Sequence, residues 1–150
     1  MNGVILEAKS ISRAFRLPRT GLSSARAERQ AVVDINLVVH AGDRLGIVGE
    51  SGSGKTTLAK LLLSLDTSTS GSVEFRGETL PLADMSKFRR EVQVVFQDPR
   101  SSLNPRMTVE QIILEPLECL KITEDHSARI NEVLDQVGLE REMRVRYPHE

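Results

Sequence analysis

The 150-residue sequence predicts an α/β fold in which strands fill the first part of the chain and helices its last third. Three observations support this prediction. Apolar and polar residues alternate in several short stretches before residue 97, which is typical of half-buried strands. A glycine-rich run among these stretches opens a segment with leucines at helical spacing. Two further segments with helical spacing follow residue 107.

The composition is that of a soluble globular domain and argues against several other classes of protein. Hydrophobic residues make up 39% of the sequence, charged residues 27%, and the formal net charge is -1. Such a balance gives no overall attraction to nucleic acid or to an anionic membrane. The apolar runs fall far short of the ~20 residues that span a bilayer. We expect Cys119, the single cysteine, to be buried in a protein of the reducing cytosol.

Alternation defines the first predicted elements. Residues 4–12 and 32–40 alternate apolar and polar side chains and are predicted strands. Residues 17–30 hold proline, glycine, serines and arginines, and are predicted to form a long exposed loop. Residues 41–43 supply a turn, and residues 44–48 form a short apolar run that predicts a strand buried on both faces. The glycine-rich run begins where this predicted strand ends.

A helix and two more strands are predicted after the glycine-rich run. The helix is amphipathic and carries four leucines at helical spacing: Leu58, Leu61, Leu62 and Leu65. Residues 72–76 alternate and end at Gly77, while residues 92–96 form another apolar run that ends at Gln97. Both stretches are predicted strands.

The last third of the chain predicts two helices with start and stop signals. Thr108 and Gln111 have the spacing of a capping box, and Pro116 is expected to kink or end the helix that they open. The second helix is predicted from apolar residues at helical spacing: Ile130, Val133, Leu134 and Val137. Acidic residues at positions 124 and 125 lie in its predicted first turn, and Gly138 is its expected stop signal.

The glycine-rich run has the pattern of a phosphate-binding loop. It consists of Gly49, Glu50, Ser51, Gly52, Ser53, Gly54, Lys55 and Thr56. Its glycines leave room for consecutive backbone N–H groups to approach a triphosphate. We expect Lys55 to reach the β and γ phosphates, Thr56 to ligate Mg²⁺, and Thr57 to meet the α phosphate. The position of the run, between a predicted strand and a predicted helix, favours this interpretation over an incidental turn.

Two motifs in order resemble a known family. The phosphate-binding loop lies within residues 47–58, and the run Val-Val-Phe-Gln-Asp-Pro follows at residues 94–99. Together they resemble the ATPase subunits of ATP-binding cassette (ABC) transporters. Residues 101–109 and the closing residues 147–150 are similar to the branch that powers bacterial uptake of dipeptides, oligopeptides or nickel.

The resemblance covers nearly the whole chain and implies a domain organisation. Residues 1–97 would form part of a P-loop NTPase core, with a partial parallel sheet and a small antiparallel β subdomain. Residues 98–150 would begin a helical subdomain and end before the signature motif of the family.

The resemblance also implies roles for two residues outside the loop. Gln97 corresponds to a glutamine that touches Mg²⁺ and the attacking water, which makes it a candidate catalytic and metal-contacting residue. Phe15 matches the position of an aromatic ring that stacks on adenine, and phenylalanine suffices because stacking needs only the ring face. Residues 104–107 would lie near the surface that docks on the membrane subunits. Without the resemblance, Gln97 would be a polar cap of a strand and Phe15 an ordinary core residue.

The resemblance implies ATP and Mg²⁺ as cofactors and membership of an import complex. The expected partners are transmembrane permease subunits and a second ATPase subunit in a head-to-tail dimer, and no nucleic acid is expected. The protein would be cytoplasmic and peripheral on the inner face of the cell membrane. Peptide and nickel both stay open as substrates, because in such importers the receptor and membrane subunits select the substrate.

Three motifs of the family follow the position of Glu150: the Ser-Gly-Gly-Gln signature, a strand ending in Asp-Glu, and a switch histidine. We therefore expect this chain by itself to hydrolyse ATP very slowly or not at all. In the family's parallel sheet, the strand before the loop pairs with strands from the same later part. Residues 46–48 are thus expected at an open sheet edge, which predicts marginal stability or the need for a partner.

Three alternatives stay open. The first is a fragment that binds nucleotide, or docks on membrane subunits, without turnover. The second is a different P-loop enzyme such as a small GTPase or kinase, against which the lack of an Asn-Lys-x-Asp run argues. The third is a soluble cassette ATPase of another process, such as DNA repair or translation. Residues 101–107 and the nearly neutral charge argue against the third.

Overall fold

The computed structural model describes residues 3–17 and 27–150. The chain forms two compact units, one up to Val92 and the other from Gln93 to Glu150. That residues 98–150 begin a larger helical subdomain stays a prediction. Within the described residues, no helix is long and apolar enough to cross a membrane.

The first unit is built on an antiparallel sheet of four strands in the order β2-β1-β3-β4. The strands are β1 (Val4–Arg16), β2 (Glu28–His40), β3 (Ser70–Phe75) and β4 (Glu78–Thr79). β1 and β2 are longer than predicted, because their cross-strand pairing continues as far as Arg16 and Glu28. The last three residues of the predicted loop at residues 17–30 therefore belong to β2. Residues 18–26 lie outside the described residues.

The sheet packs against helix α1 (Lys55–Leu62). The core between them consists of Ala8, Ile11, Val32, Leu61 and Val73. Leu58 and Leu62 pack against this core, which confirms that the leucine stripe faces the sheet. Leu65 does not belong to the stripe, because the helix ends before Ser64, whose φ is 53°. Leu65 is 56% exposed.

A second apolar contact holds helix α2 (Ser86–Glu91) against the sheet. The rings of Phe88 on α2 and Phe75 on β3 meet edge to face, with their centroids 5.1 Å apart. Both rings are buried, and an ion pair between Arg76 and Glu91 lies beside them. This contact attaches α2 to the end of β3 in the first unit.

The second unit contains α3 (Val109–Cys119) and α4 (His126–Gln136), with short 3₁₀ segments at Arg100–Ser102 and Arg141–Val145. The capping box is confirmed: the Thr108 hydroxyl accepts from the Gln111 N–H, and the Gln111 side chain accepts from the Thr108 N–H. Residue 125 caps α4 with its carboxylate, and Gly138 follows the helix with φ of 72°. Ile130 and Leu134 are buried, as their spacing predicts.

The alternative that Pro116 ends α3 is wrong, because only one backbone donor is lost and the next turn still closes with a bond from the Leu120 N–H to the Pro116 carbonyl. That Pro116 kinks the helix stays a prediction. The expectation for Cys119 is also wrong. Cys119 is exposed rather than buried, since it is the last residue of a helix none of whose side chains is fully buried.

The two apolar runs that were predicted as buried strands are not strands. Residues 44–48 and 92–96 have no strand pairing, and Val48 and Val95 are 95% and 88% exposed. A strand forms only where another strand satisfies its N–H and C=O groups, and the described residues offer neither run such a partner. The predicted partial parallel sheet is consequently absent from the described residues, where every strand pair is antiparallel. The mixed α/β character of the chain is confirmed.

Candidate nucleotide-binding site

The glycine-rich loop leads directly into α1. Gly54 is the N-cap of this helix and has φ of 95°. A Cβ atom at Gly54 would lie only 2.1 Å from the carbonyl oxygen of Ala31 on β2. Glycine alone combines this left-handed conformation with so close a backbone approach. The loop is thus joined to the sheet at the point where α1 begins.

The start of α1 presents backbone donors that the helix does not use. The first intrahelical bond runs from the Leu58 N–H to the Gly54 carbonyl, at 2.8 Å. The N–H groups of Lys55, Thr56 and Thr57 precede it and have no carbonyl partner within the helix. The first turn of α1 also contains no acidic residue. These free donors and the positive end of the helix dipole together suit an anion.

Lys55 holds its charge against the backbone of the loop. Its Nζ donates to the carbonyl oxygens of Gly49 at 2.8 Å and Glu50 at 2.7 Å. The Ser53 N–H donates to the same Glu50 carbonyl at 3.2 Å and closes a turn of the loop. An ammonium group has three donors, so one donor of Lys55 is left for an anion.

A cavity of about 390 Å³ lies beside the loop. The strands, together with the residue that follows β1, contribute Phe15, Leu17, Arg29 and Ala31 to its lining. The loop and the first turn of α1 contribute Gly52, Gly54, Lys55, Thr56 and Thr57. The cavity therefore brings the predicted aromatic residue together with five of the predicted phosphate-contacting residues. The other four, Gly49, Glu50, Ser51 and Ser53, belong to the same loop but do not line the cavity.

Phe15 is held by a charged neighbour rather than by the core. The guanidinium carbon of Arg13 lies 4.8 Å from the ring centroid, and an Arg13 Nη2 donor meets Asp66 Oδ1 at 2.8 Å. The Phe15 side chain is 39% exposed, which separates it from the buried residues of the sheet. Arg13 covers one face of the ring, and the exposed remainder is available to a flat ligand in the cavity.

Gln97 belongs to the second unit. It is exposed and lies in a bend between residues 92–96 and the 3₁₀ segment at Arg100–Ser102. The hydroxyls of Ser101 and Ser102 donate to the carbonyl oxygens of Asp98 and Pro99 and stabilise this turn. The contact of Gln97 with Mg²⁺ and the attacking water stays a prediction.

Sequence reasoning missed the neighbours of Phe15. Arg29 falls within the predicted loop at residues 17–30, although the register of the sheet places it directly opposite Phe15. The sequence pattern does not indicate a role for Arg13 or Asp66 either. The one available signal was Phe15 itself, because an aromatic residue just beyond a predicted strand argues for extending that strand. Its cross-strand partner depends on the register, which the local pattern does not give.

A model of the ABC transporter family matches residues 32–149. The chain is 45% identical over 127 residues to the putative oligopeptide transport ATP-binding protein YkfD of Bacillus subtilis, a match that covers 81% of this chain and 39% of that protein. It is 38% identical over 157 residues to the oligopeptide transport ATP-binding protein OppF of the same organism, covering 100% of this chain and 49% of that protein. The chain thus spans half or less of the length of these relatives.

A solved structure shows the same fold. The dimeric post-hydrolysis state of the ATP-binding cassette MJ0796, bound to ADP and Pi, superposes with a TM-score of 0.75 at 23% sequence identity. The match covers 97% of this chain and 62% of that chain. At this level of identity the likeness establishes the cassette fold for the region covered.

Proposed function

The chain belongs to the ABC transporter family, and on this basis we propose that it binds ATP and forms part of an ATPase subunit that powers the import of oligopeptides. The observation that carries the proposal is the shared cavity of Phe15 and Lys55. An aromatic ring and a phosphate-binding loop on one cavity match the two ends of a nucleotide, its base and its phosphates.

Each part of the site has a role in this proposal. The backbone of residues 49–54 surrounds the β phosphate, and the free donor of Lys55 contacts the β and γ phosphates. Thr57, at the start of α1, meets the α phosphate with its backbone N–H. The exposed part of the Phe15 ring stacks on the adenine. Together these contacts bind the nucleotide along its whole length.

Mg²⁺ fits the residues at the start of α1. Thr56 is exposed and lines the cavity, so its hydroxyl is available as one oxygen ligand beside the phosphates. When bound, Mg²⁺ would neutralise charge on the β and γ phosphates. Gln97 is proposed to orient the attacking water and to contact the same ion, as the family resemblance implies.

The proposed cargo and partners come from the relatives. YkfD and OppF are both described as oligopeptide transport ATP-binding proteins, so we favour oligopeptides over nickel as the cargo. The chain would act with transmembrane permease subunits and with a second ATPase subunit, at the inner face of the cell membrane. The cassette MJ0796 is itself dimeric, which supports pairing of two such subunits.

A second candidate function is nucleotide binding without efficient turnover. It is favoured by the exposed run 44–48, which within the described residues lacks the strand neighbours that would hold the start of the loop. We propose that the 150 residues alone bind ATP and release phosphate very slowly.

Calorimetry with ATP and Mg²⁺ tests the proposal, with phosphate release followed in the same samples. We expect Lys55→Ala to weaken ATP binding by at least about tenfold, because it removes a charged donor to the phosphates. Lys60→Ala is the matched control, since Lys60 is an exposed lysine of the same helix outside the cavity. The control should bind ATP as the wild type does.

The two readouts separate the two candidates. Binding that depends on Lys55, without phosphate release, supports a nucleotide-binding chain that is part of an ATPase. Turnover that depends on Lys55 would contradict slow hydrolysis and require a general base within these 150 residues. Equal binding by the wild type and Lys55→Ala would refute the proposed site.

A further inference from the structure

Arg29 is a cation at the candidate site that no acidic side chain neutralises in the described part of the chain. It lies on β2 and lines the cavity together with Phe15 and Lys55. The two arginines of the neighbouring strand β1 are both paired, Arg13 with Asp66 at 2.8 Å and Arg16 with Glu28 at 3.6 Å. An unpaired guanidinium beside a phosphate-binding loop is available to an anionic ligand.

The register of the sheet fixes where Arg29 stands relative to the aromatic ring. Phe15 and Arg29 are direct cross-strand partners in the antiparallel pair β1–β2. Side chains of such partners lie on the same face of the sheet, with their Cβ atoms about 5 Å apart. Arg29 therefore stands beside the ring on which the base is proposed to stack.

The same strand also contacts the phosphate-binding loop. The register of this strand pair shifts by one residue at Ala31. Arg13 pairs with Val32 and Ala14 pairs with Gln30, so Ala31 is the extra residue of a β-bulge. The carbonyl of Ala31 is the group that approaches Gly54. Arg29 thus lies two residues from the contact between strand and loop, on the strand that joins the ring to the loop.

We infer that Arg29 is a further nucleotide-binding residue, which contacts the α phosphate. This inference rests on the proposed function. With the base on Phe15 and the β and γ phosphates at Lys55, the ribose and the α phosphate occupy the part of the cavity between them. Of these two groups, only the α phosphate carries the negative charge that complements a guanidinium. The planar fork of arginine contacts two phosphate oxygens at once, which a lysine does not do.

The experiment compares ATP and ADP binding by the 150-residue chain and its Arg29→Ala and Arg29→Lys variants. ATP and ADP share the α phosphate, so we expect Arg29→Ala to weaken both by about the same factor, roughly tenfold. Arg29→Lys should recover part of this loss, since it restores the charge without the fork. Arg16→Ala is the matched control, because Arg16 is an exposed arginine of the same strand pair that does not line the cavity.

The outcomes distinguish this inference from the proposed function. If wild-type binding depends on Lys55 but Arg29→Ala binds both nucleotides normally, the inference is wrong and the proposed function stands. Loss of ATP affinity without loss of ADP affinity would place Arg29 at the γ phosphate and overturn the α-phosphate contact. An equal loss in Arg16→Ala would show a general charge effect and overturn it as well. If the wild type binds neither nucleotide, both the proposed function and the inference fail.

Discussion

The two sides of the phosphate-binding loop differ in how firmly the fold holds them. On the C-terminal side, Leu61 of α1 is 3% exposed and Gly54 abuts the backbone of β2. On the N-terminal side, residues 44–48 have no strand partner and Val48 is 95% exposed. Apolar residues predicted burial on both sides, at helical spacing in α1 and in a continuous run at residues 44–48. A helix makes its own backbone hydrogen bonds, whereas a strand needs a neighbouring strand. The prediction was therefore right for the helix and wrong for the strand.

The geometry of the site therefore depends on the C-terminal side of the loop, called here the held side, because α1 and the sheet fix its position. The helix N-terminus, the position of Lys55 and the contact of Gly54 with Ala31 all depend on α1 and the sheet. The exposed run contributes only the entry of the chain into the loop. Substitutions on the held side should therefore disturb nucleotide binding far more than substitutions on the exposed side.

The largest effect is expected at Gly54. A Cβ atom there would clash with the Ala31 carbonyl and occupy a left-handed conformation, so we expect Gly54→Ala to lower the free energy of unfolding by about 2–6 kcal/mol. ATP binding should be lost with it. Gly42→Ala is the matched control, because Gly42 has φ of 85° but nothing within 4 Å of its Cβ position. It should cost only about 1–2 kcal/mol, from the backbone strain alone.

Urea unfolding followed by circular dichroism measures both variants. The difference between them isolates the contact between the loop and β2, since the strain is common to both. Equal stability of the two variants would mean that the loop is not held against β2 in solution.

The next effect in size is expected at Leu61. Removing this buried side chain leaves a cavity between α1 and the sheet, so Leu61→Ala should cost about 2–4 kcal/mol. Leu65 has the same helical spacing in the sequence but is 56% exposed. Leu65→Ala should therefore change stability by less than about 0.5 kcal/mol. If Leu65→Ala lowered the thermal midpoint as much as Leu61→Ala, α1 would extend past Ser64 in solution and bury the whole leucine stripe.

A pair of valines tests the strands in the same way. Val73 on β3 is 7% exposed, so Val73→Ala should cost about 1.5 kcal/mol or more from the lost burial. Val48→Ala, in the exposed run, should stay within about 0.5 kcal/mol of the wild type. A large loss in Val48→Ala would mean that residues 44–48 are packed in solution, against another molecule or within a rearranged chain. Sedimentation of the wild type at several concentrations would distinguish these two cases.

Local signals in the sequence predicted much of what the structure contains. The capping box of Thr108 and Gln111, the stop at Gly138 and the buried pair Ile130 and Leu134 each involve residues within a few positions of one another. The phosphate-binding loop is local in the same sense. Features that depend on pairing between distant segments of the chain were not predictable from these local signals.

Arg29 and the apolar runs illustrate the limit. Which residue lies opposite Phe15 depends on the pairing of β1 with β2 and on the bulge at Ala31, and a shift of one residue would turn Arg29 to the other face. Residues 44–48 and 92–96 have strand-like composition, but composition does not supply a neighbouring strand. The sequence pattern predicts what a segment favours, and the tertiary partner decides whether it forms.

The smallest effect is expected at Asp43, where the held chain passes into the exposed run. Its Oδ2 accepts the backbone N–H of His40, the last residue of β2, at 2.7 Å. This hydrogen bond, followed by the side-chain contact with His40, lowers the pKa of Asp43 below its ordinary value of 3.8. A carboxyl group with a depressed folded-state pKa stabilises the fold above its unfolded-state pKa, and this contribution is lost as the pH falls through the folded-state pKa.

Wild type and Asp43→Asn should therefore differ in stability at about pH 5, and the difference should shrink as the pH falls below about 4. Urea midpoints of both proteins at several pH values measure this change. A difference that does not depend on pH would mean that the charge of Asp43 contributes nothing and that the asparagine simply packs less well. A difference that shrinks on acidification would show that the charged carboxylate of Asp43 stabilises the end of β2, immediately before the exposed run begins.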